Sequence, residues 1–124
     1  MIKPKAIRSD PEARKAYGRW HYQQNKAAYI ERARLKNIQT RADVRDWLFS
    51  YIQTKSCIDC GESDPIVLEF DHRDGDKKSF TIGEAVSLGY SLRSVQAEVE
   101  KCDIRCANCH RRITYKRAGR THRG

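Results

Sequence analysis

Two stretches in the N-terminal half of the chain carry the signals that begin helices. The first, residues 9–12, combines a capping side chain, a proline for the first turn and an acid that favours the helix dipole. The second, residues 40–43, has the spacing of a capping box. Apolar residues then recur at helical spacing, and we expect them to face a core: Val44, Trp47, Leu48, Tyr51 and Ile52. The pattern therefore predicts two helices before residue 57.

The C-terminal half alternates short strand-like runs with helical patterns. Residues 66–72 are rich in branched and aromatic side chains and predict a strand, whose alternation would send Asp71 and His72 to opposite faces. We therefore expect that strand to end or bulge at this point. A short helix, a helix capped by Ser91, a second strand and a last helix follow, at 83–88, 91–102, 103–106 and about 108–118. This order predicts an α+β fold.

The length of the chain, 124 residues and 14.4 kDa, allows one small domain with appendages. We divide it into a basic helical arm at 1–56, a compact domain at 57–118 and a flexible basic tail at 119–124. No apolar run approaches the roughly 20 residues of a membrane span. The first ten residues also lack the apolar segment of a secretory signal. We therefore expect a cytoplasmic protein with no membrane partner.

Charge is plentiful and unevenly distributed. The chain has 25 Lys and Arg against 16 Asp and Glu, a net charge of +9 that favours a polyanionic partner. Residues 1–56 and 110–124 are strongly basic, whereas residues 57–109 hold 11 acidic side chains against 6 basic ones. An acidic segment between two basic ones suits a site where carboxylates bind a metal ion.

Four of the five cysteines form two C-x-x-C pairs, Cys57 with Cys60 and Cys106 with Cys109. Two such pairs are typical of a tetrahedral four-cysteine zinc site, and without a secretory signal they favour metal over disulfides. Redox pairs or unrelated buried thiols are the alternative. The fifth, Cys102, fits a small buried residue at the end of a helix.

Basic side chains on the first and last predicted helices are candidates for nucleic-acid contacts. On the first helix they alternate with aromatic residues, a mixture that suits phosphate contacts but also a merely solvated helix. On the last helix, cations near the C-terminus also fit favourable dipole interactions. The predicted contact residues are Arg14, Lys15, Arg19, Lys26, Arg111, Arg112 and Arg117.

Three motifs stand in a fixed order between residues 57 and 118: Cys57-Ile-Asp-Cys60, Leu68-Glu-Phe-Asp-His72 and Cys106-Ala-Asn-Cys-His110. In this combination the chain resembles the HNH endonuclease family, in particular its small zinc-braced, phage-type members. The resemblance implies a ββα-metal (His-Me finger) core with a four-cysteine zinc site, here preceded by basic α-helices. It also implies hydrolysis of DNA phosphodiester bonds, as nicks or, when two copies pair, as double-strand breaks.

The resemblance also implies roles for individual residues. His72 would be the general base that activates water, and Asp71 and His110 would bind a catalytic Mg²⁺ or Mn²⁺. The four paired cysteines would hold a structural Zn²⁺. General chemistry agrees with these roles, because histidine titrates near neutral pH and a hard divalent cation stabilises charge on a phosphorane and its leaving oxygen.

One position departs from the family pattern, since Lys101 stands where the family's middle asparagine is usual. That asparagine ordinarily braces the loop of the general base, so the departure concerns how His72 is oriented. Other interpretations stay open: Asp71 and His72 as a hydrogen-bonded structural pair, and His110 as a surface residue or a zinc ligand.

At the level of function, the alternative to a nuclease is a non-catalytic zinc module that binds DNA or RNA. The expected partner is double-stranded DNA, together with a second copy of the chain or a nucleoprotein machine. For a phage-encoded protein the compartment would be the host cytoplasm.

Overall fold

The computed structural model describes residues 2–5 and 7–119 and has an α+β architecture. Of the predicted tail at 119–124, all but Gly119 lies outside the described residues. The described residues form four α-helices, which are α1 Pro11–Gln53, α2 Ile82–Leu88, α3 Leu92–Val99 and α4 Ala107–Arg117. They also form two strands, β1 Leu68–His72 and β2 Cys102–Cys106.

Helix α1 begins where the sequence predicts but does not break at residue 40. Asp10 caps the start, with its carboxylate accepting a hydrogen bond from the Glu12 N–H at 3.0 Å. The second predicted start is wrong, because α1 continues through Thr40 to Gln53. Asp43, the acid of the apparent capping box, instead accepts a hydrogen bond from Gln39 at 2.8 Å along the helix surface. No proline or glycine between residues 19 and 53 interrupts the helical hydrogen bonds.

The chain divides into two compact units, with the boundary between Ile38 and Gln39 inside α1. In the first unit none of the described residues is buried. Aromatic rings contact one another along this part of α1, as in the pairs Tyr17–Trp20 and Tyr22–Tyr29, with centroids 5.7 and 5.6 Å apart. These contacts are local and form no enclosed core.

The second unit has two buried apolar clusters. In one, Val44 of α1 packs with Ala85 of α2 and Val95 of α3. In the other, Ile52 and the strand residues Leu68 and Ile104 pack with cysteines. The predicted core stripe is confirmed, because Val44 and Ile52 are buried and its other three members pack against these clusters, namely Trp47, Leu48 and Tyr51.

Strands β1 and β2 form an antiparallel pair in regular register, from Leu68 opposite Cys106 to His72 opposite Cys102. β1 ends at His72, but Asp71 and His72 are both paired in regular register without a bulge, so strand alternation sends them to opposite faces. Helix α4 begins directly after β2 and contacts both strands. Asp71 therefore faces side chains of α4, whereas His72 faces a side chain of α3.

Helices α2 and α3 support the end of β1. Helix α2 has a full capping box between Thr81 and Glu84, and it is capped after Leu88 by Gly89, whose φ of 73° suits glycine. Ser91 caps α3 as predicted, and the buried face of α3 includes Glu98 beside Val95 and Val99. A carboxylate thus lies inside an otherwise apolar helix face.

Candidate metal and active site

The four predicted cysteines come together at one point. The Sγ atoms of Cys57, Cys60, Cys106 and Cys109 all lie within 4.8 Å of one another, so the cluster could hold a metal ion. A tetrahedral ion with metal–sulfur bonds of about 2.3 Å needs sulfur atoms about 3.8 Å apart. The Sγ atoms of Cys60 and Cys106 are 3.7 Å apart, in agreement with that geometry.

The first cysteine pair lies on a tight turn. The Gly61 N–H donates to the Cys57 carbonyl at 2.9 Å, and the left-handed φ of 79° at this position suits glycine. The Ile58 N–H donates to the Ile104 carbonyl at 2.9 Å and ties the turn to β2. Burial raises the pKa of the Cys57 thiol, but backbone N–H groups such as that of Cys60 outweigh it and lower the pKa to about 6. These N–H groups therefore favour the thiolate form of Cys57, which is the form that binds metal.

The second cysteine pair begins α4. Cys106 is the N-cap residue, and its Sγ accepts a hydrogen bond from the Cys109 N–H at 3.4 Å. Cys102 lies outside this cluster: it is buried, as predicted, but it begins β2 and does not end a helix. Burial raises the pKa of the Cys102 thiol to about 11. Cys102 is therefore a neutral core residue.

Asp71 is 3% exposed and contacts three cationic or potentially cationic side chains within the described residues. Its Oδ1 lies 2.7 Å from Arg117 Nη1 and 3.3 Å from His110 Nε2, and its Oδ2 lies 2.5 Å from Arg105 Nη1. Burial raises the pKa of Asp71, but the hydrogen bonds from Arg117 and Arg105 outweigh burial and shift the pKa downward. Asp71 is therefore an ionised carboxylate at neutral pH.

His110 lies between two carboxylates. Its Nδ1 is 2.7 Å from Glu69 Oε2, and its Nε2 is the atom that faces Asp71. A neutral imidazole carries one N–H and donates to only one of them. With that proton on Nδ1, the lone pair of Nε2 would face a cation that shares Asp71 Oδ1 with Arg117. Adjacent ligands of an octahedral ion with bonds of about 2.1 Å lie about 3.0 Å apart, close to the Asp71–His110 separation. The structure thus brings the predicted ligand pair together, and it places His110 outside the cysteine cluster.

His72 is held by a different carboxylate. Its side chain is 10% exposed, and its Nε2 lies 2.8 Å from Oε1 of Glu98. No side chain among residues 2–5 and 7–119 hydrogen-bonds to His72 Nδ1, and Asp71 is not a partner of this ring. The side chains of Asp71 and His72 are therefore not hydrogen-bonded to each other, and each is hydrogen-bonded to other residues.

A cavity of about 360 Å³ lies beside the end of β1 and is lined by residues of β1, α2 and α4. Its lining includes Asp71, His72 and His110, so all three residues predicted for catalysis reach the same space. Lys78 also lines the cavity and was not among the predicted contact residues. The arrangement provides a carboxylate, two imidazoles and a cation around one cavity.

Glu98 is a site residue that sequence reasoning missed. Its Oε1 accepts from the Ser79 N–H at 2.9 Å as well as facing His72, and its Oε2 lies 2.9 Å from Lys101 Nζ. Burial raises the pKa of Glu98, but hydrogen bonds from Lys101, Ser79 and His72 outweigh it and lower the pKa to about 2. The available signal was a glutamate between Val95 and Val99 on the apolar face of a helix. Lys101 thus anchors the carboxylate that faces His72.

Arg105 is the second missed residue. It is 8% exposed and lies on β2 between Ile104 and Cys106, where the sequence predicted only a short strand. Its Nε donates to Asp59 Oδ2 at 2.8 Å, and Asp59 stands between the first two cysteines. Because Arg105 also binds Asp71, one buried guanidinium joins the cysteine turn to the candidate catalytic carboxylate.

The predicted nucleic-acid contacts occupy different surroundings. Four lie exposed on the first unit's part of α1, namely Arg14, Lys15, Arg19 and Lys26. On α4, Arg111 is exposed, Arg112 has its Nη1 4.0 Å from Cys109 Sγ, and Arg117 is bound to Asp71. Arg117 is therefore part of the candidate active site as well as a cation on the last helix.

No protein-family model, curated protein or solved structure matches this chain. The resemblance to HNH nucleases therefore rests on the three sequence motifs alone. Among the described residues, no helix combines the length and the apolar character needed to cross a membrane.

Proposed function

We propose that the protein is a metal-dependent HNH-type endonuclease that hydrolyses phosphodiester bonds in DNA. The observation that carries the proposal is that Asp71, His72 and His110 all line one cavity. In it, Asp71 Oδ1 and His110 Nε2 lie 3.3 Å apart. Metal-assisted phosphodiester hydrolysis requires at least a general base and a pair of ligands for a divalent cation. They are also the residues that the HNH resemblance assigns to catalysis.

The proposed catalytic core consists of β1, β2 and α4, which would correspond to a ββα-metal unit. Regular pairing of β1 with β2 and the direct start of α4 after β2 support this assignment. The cysteine cluster would hold a structural Zn²⁺, because four thiolates complete its tetrahedral shell and leave no open position. A domain this small buries little apolar surface, so metal binding would contribute much of its stability.

In the proposed reaction, a water molecule lies in the cavity beside His72. The water O–H bond breaks, its proton passes to the imidazole, and its oxygen forms a bond to phosphorus. The bond from phosphorus to the 3′ oxygen breaks, and that oxygen leaves with a proton from solvent. Asp71 and His110 would hold a Mg²⁺ or Mn²⁺ ion, which when bound would stabilise negative charge on the phosphoryl oxygens and the leaving group.

Two cations beside this site suit a phosphate. Lys78 lines the cavity, and the Arg117 side chain is 40% exposed where it meets Asp71. A guanidinium at that position neutralises the carboxylate and is free enough to turn toward a bound phosphate group. Both residues would therefore contact the scissile strand.

The proposed substrate is double-stranded DNA, held mainly through its backbone. Exposed cations of the first unit, including Arg19 and Lys26, support this proposal together with the net charge of +9. Contacts to phosphates carry little sequence information and weaken steeply with salt. We therefore expect weak sequence preference and strongly salt-dependent binding.

One observation favours the alternative of a non-catalytic zinc module that binds DNA or RNA. Both carboxylate oxygens of Asp71 are engaged by guanidinium groups, those of Arg105 and Arg117. A closed network of this kind also suits a purely structural role. The two functions differ in whether bound nucleic acid is cut.

The proposal is tested by incubating purified protein with supercoiled plasmid in Mg²⁺, Mn²⁺ or EDTA, with bound zinc measured in parallel. We expect the wild type to nick the plasmid only with a divalent cation. We expect His72→Ala to remain folded and DNA-binding but to lose cleavage by a factor of about 10² to 10⁴. The matched control is His21→Ala, which removes a histidine of the first unit and should cleave normally.

Either of two outcomes would overturn the proposal. Full activity of His72→Ala would mean that the general base is another residue. A folded, zinc-loaded wild type that shifts DNA but never cuts it would instead establish the binding module.

A further inference from the structure

Glu98 is an unusual residue to find in the core of a small domain. It is 2% exposed and projects from the apolar face of α3, next to residues that pack the main core. Burying a carboxylate is costly unless hydrogen bonds replace its hydration. An apolar side chain at this position would pack without that cost, so its contacts point to a role beyond packing.

The contacts of Glu98 converge on the end of β1. One carboxylate oxygen, Oε1, faces His72 Nε2 at 2.8 Å and also accepts the Ser79 N–H. The other, Oε2, is held by Lys101, whose ammonium also donates to the Lys77 carbonyl at 3.0 Å and to Ser79 Oγ at 3.2 Å. Helix α3 and the segment after β1 therefore hold the Glu98 carboxylate in position beside His72.

We propose that Glu98 is a positioning residue that holds His72 as the Nε2–H tautomer, so that Nδ1 is the basic nitrogen. An ionised carboxylate has no proton to donate, so the hydrogen atom between Oε1 and Nε2 must belong to the imidazole. A neutral ring with its proton on Nε2 has its lone pair on Nδ1. This inference rests on the proposed nuclease function only for its catalytic consequence.

The catalytic consequence concerns the proton taken from water. After Nδ1 accepts it, the ring is an imidazolium whose Nε2–H still points at Glu98. A buried anion stabilises that positive charge without moving, because Ser79 and Lys101 already hold it in place. Glu98 and Lys101 would thus orient the base in place of the asparagine that the family pattern has at position 101.

A merely structural role is the competing explanation, in which Glu98 only ties Ser79 and Lys101 to α3. The two explanations differ at His72. A structural tie leaves the tautomer of the ring and the rate of the chemical step unaffected, provided that the variant folds. Positioning requires that both change when the carboxylate is removed.

The first measurement is the tautomer, read from long-range ¹H–¹⁵N correlations of the histidine rings in the zinc-loaded protein, with the His72 signals assigned by His72→Ala. We expect the Nε2–H form in the wild type and in Glu100→Gln, a matched control that alters an exposed glutamate two residues away. We expect Glu98→Ala to give a mixture of both tautomers. A wild-type ring protonated at Nδ1, or a tautomer that does not change in Glu98→Ala, would overturn the proposal.

The second measurement is cleavage by Glu98→Gln, which keeps the size of the side chain and removes its charge. We expect kcat to fall about 100-fold with KM for plasmid little changed, because the imidazolium loses its counter-charge. Unchanged kcat in a folded Glu98→Gln enzyme would overturn the proposal. Absence of cleavage by the wild type would refute the proposed function alone, since the tautomer is measured without any substrate.

Discussion

The two histidines beside the β1–β2 hairpin have opposite surroundings. His110, on the α4 side, is 29% exposed and meets carboxylates at both ring nitrogens, those of Glu69 and Asp71. His72, on the α3 side, is 10% exposed and meets one buried carboxylate at Nε2. The imidazole of His110 thus faces two carboxylates, whereas the imidazole of His72 faces one.

This difference separates two kinds of chemistry. A ring between two carboxylates has more acceptors than a neutral imidazole can satisfy, which suits a bound cation. A ring with one fixed carboxylate and one nitrogen free of hydrogen bonds from the described residues suits proton transfer. The two environments therefore suit the two roles that the proposed mechanism assigns, a metal ligand for His110 and a general base for His72.

The variant with the largest expected effect should disrupt the surroundings of both histidines at once. Replacing Cys57 with Ser deletes one ligand of the cluster and should release zinc and unfold the domain. The loss should exceed about 5 kcal/mol, because metal binding and folding are coupled in such domains. Circular dichroism and bound-zinc measurements test this prediction.

The matched control for that variant is Cys102→Ala, which alters a buried cysteine outside the cluster. It should keep its zinc and lose only about 1 kcal/mol of stability. A stable, zinc-free Cys57→Ser protein would contradict the structural role of the cluster.

An intermediate effect distinguishes the two histidines directly. His110→Ala should weaken Mn²⁺ binding at least about tenfold, because it removes one of the two proposed protein ligands, whereas His72→Ala should bind Mn²⁺ as the wild type does. Electron paramagnetic resonance of free Mn²⁺ during a titration measures both affinities without DNA. If both variants weakened Mn²⁺ binding equally, His110 and His72 would not have separate roles as metal ligand and base.

The smallest expected effect is a change with pH in the stability that Glu98 contributes on the α3 side of the hairpin. The folded pKa of Glu98, about 2, lies below the ordinary value of 4.5. Its ionisation therefore stabilises the fold above pH 4.5, and that stability is lost as the pH falls toward 2. We expect the stability difference between wild type and Glu98→Gln to shrink by roughly 1 kcal/mol from pH 6.5 to pH 4.

Urea unfolding at several pH values measures that difference, and release of zinc at low pH affects both proteins alike. If the difference in the free energy of unfolding stayed constant over this range, ionisation of Glu98 would not stabilise the folded state. Lys101 and His72 are the charged or titratable groups that face it, and both remain in the variant.

Much of the second unit could be predicted from local patterns. Helix starts such as Ser91 and the pairing of Cys57 with Cys60 depend on residues a few positions apart, and the structure confirms them. The single helix α1 was missed because the apparent capping box at Thr40 has no break before it, and a continuing helix satisfies the same backbone groups. Local signals therefore located the elements well but misjudged the supposed break at Thr40 and the end of α3, because Cys102 begins β2.

The sequence by itself determined the cysteine cluster, the Asp71-His72 pair at a strand end and the basic character of the chain. Those properties depend on spacing, on alternation and on composition, which do not require knowledge of distant neighbours. Only the tertiary structure decided that Glu98 faces His72 and that Arg105 faces Asp71, across 26 and 34 residues of sequence. These charges become partners because helix packing and strand register exclude water around them, and each must then find its counter-charge inside the fold.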